Sequence, residues 1–116
     1  MRFLMIWTPE NNAQPTQQHI ETMNGFVEES FKSGALLATG GLLSPSAGAR
    51  VRSRKGEITV TDGPYAESKE VIAGFALLQA RSKAEAIEHA KDFVRLAGDG
   101  ETVIHVVADG PPEAVA

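Results

Sequence analysis

Apolar side chains recur along this chain in two rhythms. Residues 2–7 (RFLMIW) run almost unbroken in apolar character after Arg2 and are too few for a helix, which predicts a strand buried on both faces. The polar stretch 8–14, with Pro9 in it, ends that strand and opens a loop. From residue 15 to 33 the period lengthens. Ile20, Met23, Val27 and Phe31 share one helical stripe with Phe26 beside it, while Glu21, Glu28, Glu29 and Lys32 lie elsewhere. Pro15 suits a first helical turn and Gly34 the left-handed residue just past a helix end. The pattern predicts a helix.

Residues 35–43 (ALLATGGLL) read as a strand with a bulge or bend at Gly40-Gly41, followed by a loop at 44–48. Two short alternating runs come next, 49–54 and 57–61, with Lys55-Gly56 between them as a hairpin turn. Asp62-Gly63-Pro64 closes the second run. Residues 72–80 (IAGFALLQA) predict another strand buried on both faces. Ser82-Lys83-Ala84-Glu85 is a capping-box pattern, in which hydroxyl and carboxylate satisfy orphan N–H groups reciprocally. The helix it opens carries Ile87, Ala90, Val94 and Ala97 on one stripe and stops near Gly98. Residues 102–107 (TVIHVV) form the last strand, and 109–116, with two prolines, read as a loose tail.

The order β-α-β, hairpin, β-α-β predicts an α+β chain with a ferredoxin-like antiparallel sheet and two helices on one face. Three strands offer apolar side chains to both faces, and two helices cover one. A second copy of the chain is the economical cover for the other, since most small oligomers are symmetric homodimers.

Composition narrows the function classes. At 116 residues the chain is one domain, residues 1–108 by this reading. It has no cysteine, which excludes disulfides and thiolate-held zinc or iron–sulfur centres. Acids outnumber bases 15 to 11, so nothing attracts nucleic acid or anionic membrane in general. The apolar run at the start is too short for a signal peptide or a membrane span, which makes the cytoplasm the default compartment. The three histidines, at 19, 89 and 105, match no metal-binding spacing, and the chain has no phosphate-binding or nucleophile-elbow glycine motif. No metal and no cofactor are expected.

The segment Val60-Thr61-Asp62-Gly63-Pro64-Tyr65-Ala66-Glu67-Ser68-Lys69-Glu70 resembles the signature of the YCII-related (DGPF) family, with Tyr65 and Ser68 where Phe and Thr are usual. Val71-Ile72-Ala73-Gly74-Phe75 continues it into a strand. Gly40-Gly41-Leu42-Leu43-Ser44-Pro45 and Gly48-Ala49-Arg50-Val51 are similar to the family's lead-in, and residues 82–90 to its second helix. The last strand departs: His105-Val106-Val107 stands where a glutamate, an aliphatic residue and an arginine are common. The resemblance implies a ferredoxin-like fold that pairs face to face into a dimeric α+β barrel. It implies two kinds of function. One is a small-molecule site, since relatives act on chlorinated aromatics and some carry a His–Asp pair. The other is an accessory module associated with sigma-factor-type regulation. Whether the chain is an enzyme is left open.

Several residues carry candidate chemistry, each with a plainer alternative. Asp62 is either an acid, base or anchor at a pocket mouth, or turn chemistry in Asp-Gly-Pro. Tyr65 and Glu67, with Lys69 and Glu70, either bind or deprotonate a small ligand or form a solvated, ion-paired edge. Arg50, Arg52 and Arg54 share a strand face; the row either clamps a carboxylate or defends a sheet edge. His19 borders the first helix's apolar stripe, in line with Met23 and Phe26, and is the histidine placed near a cavity as acid or base. His89 is expected on a solvated flank and His105 as a hydrogen-bonded core residue. The favoured reading is a pocket for a small acidic or aromatic metabolite, with proton transfer as its candidate chemistry.

Overall fold

The computed structural model describes residues 1–11, 15–43, 45–63 and 73–110. Its centre is strand β1 (Arg2–Pro9), which pairs antiparallel with β5 (Gly74–Gln79) on one side and β6 (Gly100–Val107) on the other. Strand β2 (Leu36–Gly41) pairs with the outer side of β5, so the sheet order is β2-β5-β1-β6. Two right-length crossovers, helix α1 (Gln17–Lys32) and helix α2 (Lys83–Ala97), make this the expected ferredoxin-like α+β fold. Strands β3 (Ala49–Arg54) and β4 (Glu57–Asp62) form a separate two-stranded ribbon, inserted between β2 and β5 in the chain.

Alternation decides what the sheet buries. Phe3, Met5, Ala76 and Leu78 point to the helix side and are buried, with Ile104 packed against them. Their neighbours Leu4, Ile6 and Leu77 point the other way and are half-buried, and Val103 is exposed. A strand run that reads as apolar on both faces is therefore covered on one.

Local chemistry sets the element ends. Thr16 caps α1, its side-chain oxygen accepting the His19 N–H at 3.1 Å, so Pro15 sits just ahead of the cap rather than inside the first turn. Gly34 takes φ +83° just past its end, as expected. Ser82 caps α2 by accepting the Glu85 N–H at 3.2 Å, and the Glu85 carboxylate pairs with Arg81 Nε at 3.0 Å. Lys55 and Gly56, at φ +52° and +81°, build the two-residue turn of the ribbon. Strand β1 runs on through Thr8 and Pro9, two residues beyond the predicted end. Pro9 is the terminal position, opposite Gly100, where a missing N–H interrupts no ladder.

Three sequence expectations are corrected. The irregularity in β2 falls between Leu36 and Ala38, and Gly40-Gly41 stay in register with Phe75 and Gly74. Gly40 serves close approach instead: a Cβ there would stand 2.9 Å from the Phe75 ring. The helix stripes are also turned. In α1 Val27 packs against the core as its stripe predicts, but the buried residue is Ser30, its hydroxyl donating to the Phe26 carbonyl at 2.8 Å, while Phe31 is 45% exposed. In α2 Ala90 of the predicted stripe lies against the sheet, but its buried neighbour is Ala86, with Phe93 packed beside them, and Ile87 turns out. Small residues let a helix come close, and the larger apolar ones next to them are carried to the rim. Finally, His105 is exposed, because β6 is an edge strand and its odd-numbered side chains look toward the uncovered face.

Candidate functional site: a hollow between the helices and the sheet

Between α1 and the β2–β5–β1 side of the sheet lies a hollow of about 380 Å³. Two aromatic pairs wall it. Trp7, at the end of β1, meets Phe93 of α2 edge to face, ring centres 5.3 Å apart and planes at 87°. The Trp7 ring lies over Gly100, where any Cβ would stand 2.5 Å from it, so the glycine is what lets the indole settle there. Phe26 of α1 meets the His89 imidazole of α2 at 5.3 Å and 44°. Met5, Met23, Val27 and Leu36 complete the apolar lining, and Asn24, Thr39 and His89 bring the polar groups. Thr39 Oγ1 is engaged, donating to the Phe75 carbonyl at 2.8 Å.

Two further hollows share these walls. One of about 360 Å³ lies beyond Trp7, Met23, Asn24 and Phe93 and is lined by His19, Pro15 and Ile20. The other, more open and about 490 Å³, lies on the far side of Phe26 and His89, among Glu29, Lys32 and Asp92. His89 thus stands between an apolar interior and a charged exterior.

Its surroundings tune it. Burial pushes the His89 imidazole below its ordinary value, and Asp92, one turn on, works in the opposite direction. A histidine held down in this way is neutral at pH 7 and presents a lone pair that can accept a proton or a hydrogen bond. Among the described residues no group of His, Asp and Glu side chains could hold a metal ion. No helix among them is long and apolar enough to cross a membrane.

Residues 1–109 match the YCII-related domain. The chain belongs to the YCII-related family. An uncharacterized protein of Rhizobium meliloti (strain 1021) is 33% identical to this YCII-related chain over 87 residues, 75% of this chain and 67% of that protein. Among solved structures, the domain resembles the 5-chloro-2-hydroxyhydroquinone dehydrochlorinase of Burkholderia phenoliruptrix AC1100 in complex with 2,5-dihydroxybenzoquinone. The TM-score is 0.52 at 15% identity, over 95% of this chain and 96% of that one, which is a likeness of fold.

The YCII-related domain distributes the residues singled out from sequence over two places. His19 is half-buried on α1 and lines the hollow beyond Trp7. Arg50 and Arg52 stand on β3, the first half-buried and the second exposed, and Asp62 is exposed at the end of β4, paired in register with Ala49. Neither these three nor His19 is among the residues lining the 380 Å³ hollow. Tyr65 and Glu67, with Lys69, Glu70 and most of the signature that carries the family resemblance, lie outside the described residues.

His89 is the residue that sequence reasoning passed over. The stripe drawn through Ile87, Ala90, Val94 and Ala97 put it on a solvated flank. The stripe Ala86–Ala90–Phe93–Ala97 puts it at the border of the packed face. The signal was there in the two alanines, which weigh little on a hydrophobicity scale and much in how closely a helix can approach.

Proposed function

We propose that this YCII-related domain binds a small hydroxylated aromatic or quinone-like metabolite in the hollow between α1 and the sheet, with His89 as the group that accepts a proton or hydrogen bond from it. The observation that carries this is the hollow itself. About 380 Å³ is within the range of small-ligand sites, and its walls are the Trp7–Phe93 and Phe26–His89 pairs. Flat aromatic walls favour a flat ring, and a neutral imidazole favours a phenolic O–H. No lysine or arginine is among the described residues that line it, which favours an aromatic over a carboxylate as the main recognition element. The fold likeness to a protein that holds 2,5-dihydroxybenzoquinone supports the same class. The half-buried Leu4, Ile6 and Leu77 and the exposed Val103 on the uncovered sheet face support a homodimer as the working form.

The test is a titration with 2,5-dihydroxybenzoquinone and a panel of hydroxylated benzenes, followed by thermal unfolding. A binder raises the unfolding midpoint with concentration, by about 2.7 kcal/mol of stability at a hundred times its Kd. Phe26→Ala and His89→Gln should abolish that rise while leaving the free chain folded. A flat response across the whole panel would sink the proposal. A second reading is favoured by one observation: Val51, Ile58 and Val60 stand exposed on the ribbon, as a surface for another protein would.

A further inference from the structure

The β3–β4 ribbon is written differently on its two sides. Register sets Arg50 opposite Thr61, Arg52 opposite Thr59 and Arg54 opposite Glu57, and alternation puts all six on one face. Val51, Ile58 and Val60 take the other. Cations are concentrated here: four of the chain's 11 lysines and arginines fall within residues 50–55. Residues 49–62 hold Arg50, Arg52, Arg54 and Lys55 against Glu57 and Asp62, a net of +2, so the other residues carry −6 to give the total of −4. Elsewhere the cations are matched locally: Lys32 pairs with Glu28, Arg81 with Glu85, Lys91 with Glu88 and Arg95 with Asp92. Arg52 and Arg54 are exposed and, among the described residues, have no ion pair, although Glu57 stands opposite Arg54.

The strand edge beside these arginines is open as well. Among the described residues β3 pairs with β4 alone. The two-residue turn at Lys55-Gly56 makes Arg54 and Glu57 a hydrogen-bonded pair, and counting back by twos gives Arg52 and Arg50. The Gly63 N–H, donating to the Gly48 carbonyl at 3.1 Å, continues the series. The N–H and C=O groups of Val51 and Ser53 therefore face outward. Charge can also defend an edge against pairing, but a two-stranded ribbon has two edges. Where β3 shows Arg50 and Arg52, β4 shows Thr61 and Thr59, so the charge guards one edge and leaves the other.

We propose that the outer edge of β3 takes an extended acidic peptide of a partner protein as a third strand, its alternate carboxylates paired with Arg52 and Arg54. Strand residues two apart stand about 7 Å from each other in either chain, so carboxylates at every second position meet both arginines at once. A neighbouring strand brings its Cβ atoms to about 5 Å, within reach of a guanidinium that holds a carboxylate by two parallel N–H bonds. Main-chain bonds to Val51 and Ser53 add affinity without regard to sequence. A peptide fits better than a longer polyanion. Nucleic acid or an anionic membrane would extend past the ribbon onto residues that carry −6, whereas a strand's length of peptide lies on the ribbon alone. Residues 49–62 also include no aromatic side chain on which a base could stack. The edge shares no residue with the hollow, so it is tested apart from the ligand reading.

The experiment uses the full chain and a short fluorescent peptide in which glutamate alternates with threonine. A peptide of the same composition with its glutamates in one block, and an oligothymidylate, serve as comparisons. Fluorescence anisotropy should show the alternating peptide binding more tightly than either, and added salt weakening it. Arg52→Gln with Arg54→Gln should weaken it about tenfold, while Lys91→Gln, on α2, leaves it unchanged. With the wild-type chain saturated, amide exchange should slow at Val51 and Ser53 and stay as it was at Ile58 and Val60 on the opposite edge. That pattern needs no variant and decides by itself whether a strand has been added at β3. No binding at millimolar peptide, equal binding of the two peptides, a double variant that binds like wild type, exchange unchanged at Val51 and Ser53, or tighter binding of the oligothymidylate each overturns the strand site.

Discussion

The four-stranded body and the β3–β4 ribbon are written in the same alternation of apolar and polar residues and end in opposite states. In the body, Phe3 and Leu78 are sealed beneath two helices; in the ribbon, Val51 and Ile58 stand exposed. The difference lies in the connections between strands. The body strands are joined by amphipathic helices long enough to fold back over them, whereas the ribbon strands are joined by a two-residue turn that can cover nothing. Alternation states that a strand has an apolar face. It does not state what meets that face, and in small antiparallel sheets the answer comes from another element or another molecule.

That contrast can be broken most sharply at Phe3. Its side chain is fully buried under the helices, so Phe3→Ala should cost about 3–5 kcal/mol, while Val60→Ala, in dilute solution, should stay within about 0.5 kcal/mol. Urea unfolding of the two variants measures both. Equal effects would mean the ribbon is packed in the single chain after all. A ribbon cost that grows with protein concentration would instead point to cover by a second copy.

A smaller effect separates the two regions by their independence. Gly56 sits at φ +81°, where a Cβ is disfavoured, so Gly56→Ala should destabilise the hairpin by about 1–2 kcal/mol. The readout is amide hydrogen exchange. Protection should fall in β3 and β4 and be retained in β1 and β5. Uniform loss across the sheet would show that ribbon and body unfold as one unit.

The smallest effect is a slope with pH, and it belongs to the body alone. The His89 imidazole is held below its ordinary value near 6.5, chiefly by burial. The unfolded chain therefore takes up the proton more readily than the folded one. His89's contribution to stability is full above its unfolded value and is lost as pH falls through the folded one. His89→Gln should flatten the fall in urea midpoint below pH 6.5 relative to wild type. An unchanged slope would mean the ring is solvated, as its place on the helix flank suggested from sequence, and would remove it from the hollow.

Sequence by itself determined what depends on neighbours in the chain. The helices begin where Thr16 and Ser82 can accept an N–H, and the first ends where Gly34 can turn left-handed. The ribbon turns at Lys55-Gly56 because two positive φ angles are needed there. The order of elements and the signature around Asp62 were enough to name the fold and the family. Tertiary structure decided everything that depends on rotation and position. Which side of α1 turns inward, Ser30 or Phe31, and which side of α2, Ala86 with His89 at its border or Ile87, differ by one residue, or about a third of a turn. Periodicity alone weighs the larger side chain, while packing rewards the closer approach. His105 reads as core in an apolar run and is exposed because β6 came to lie at an edge, a fact of strand order that no single strand contains. The hollow and its histidine arise in the same way, from how far a helix can settle onto a sheet when the residues between them are of unequal size.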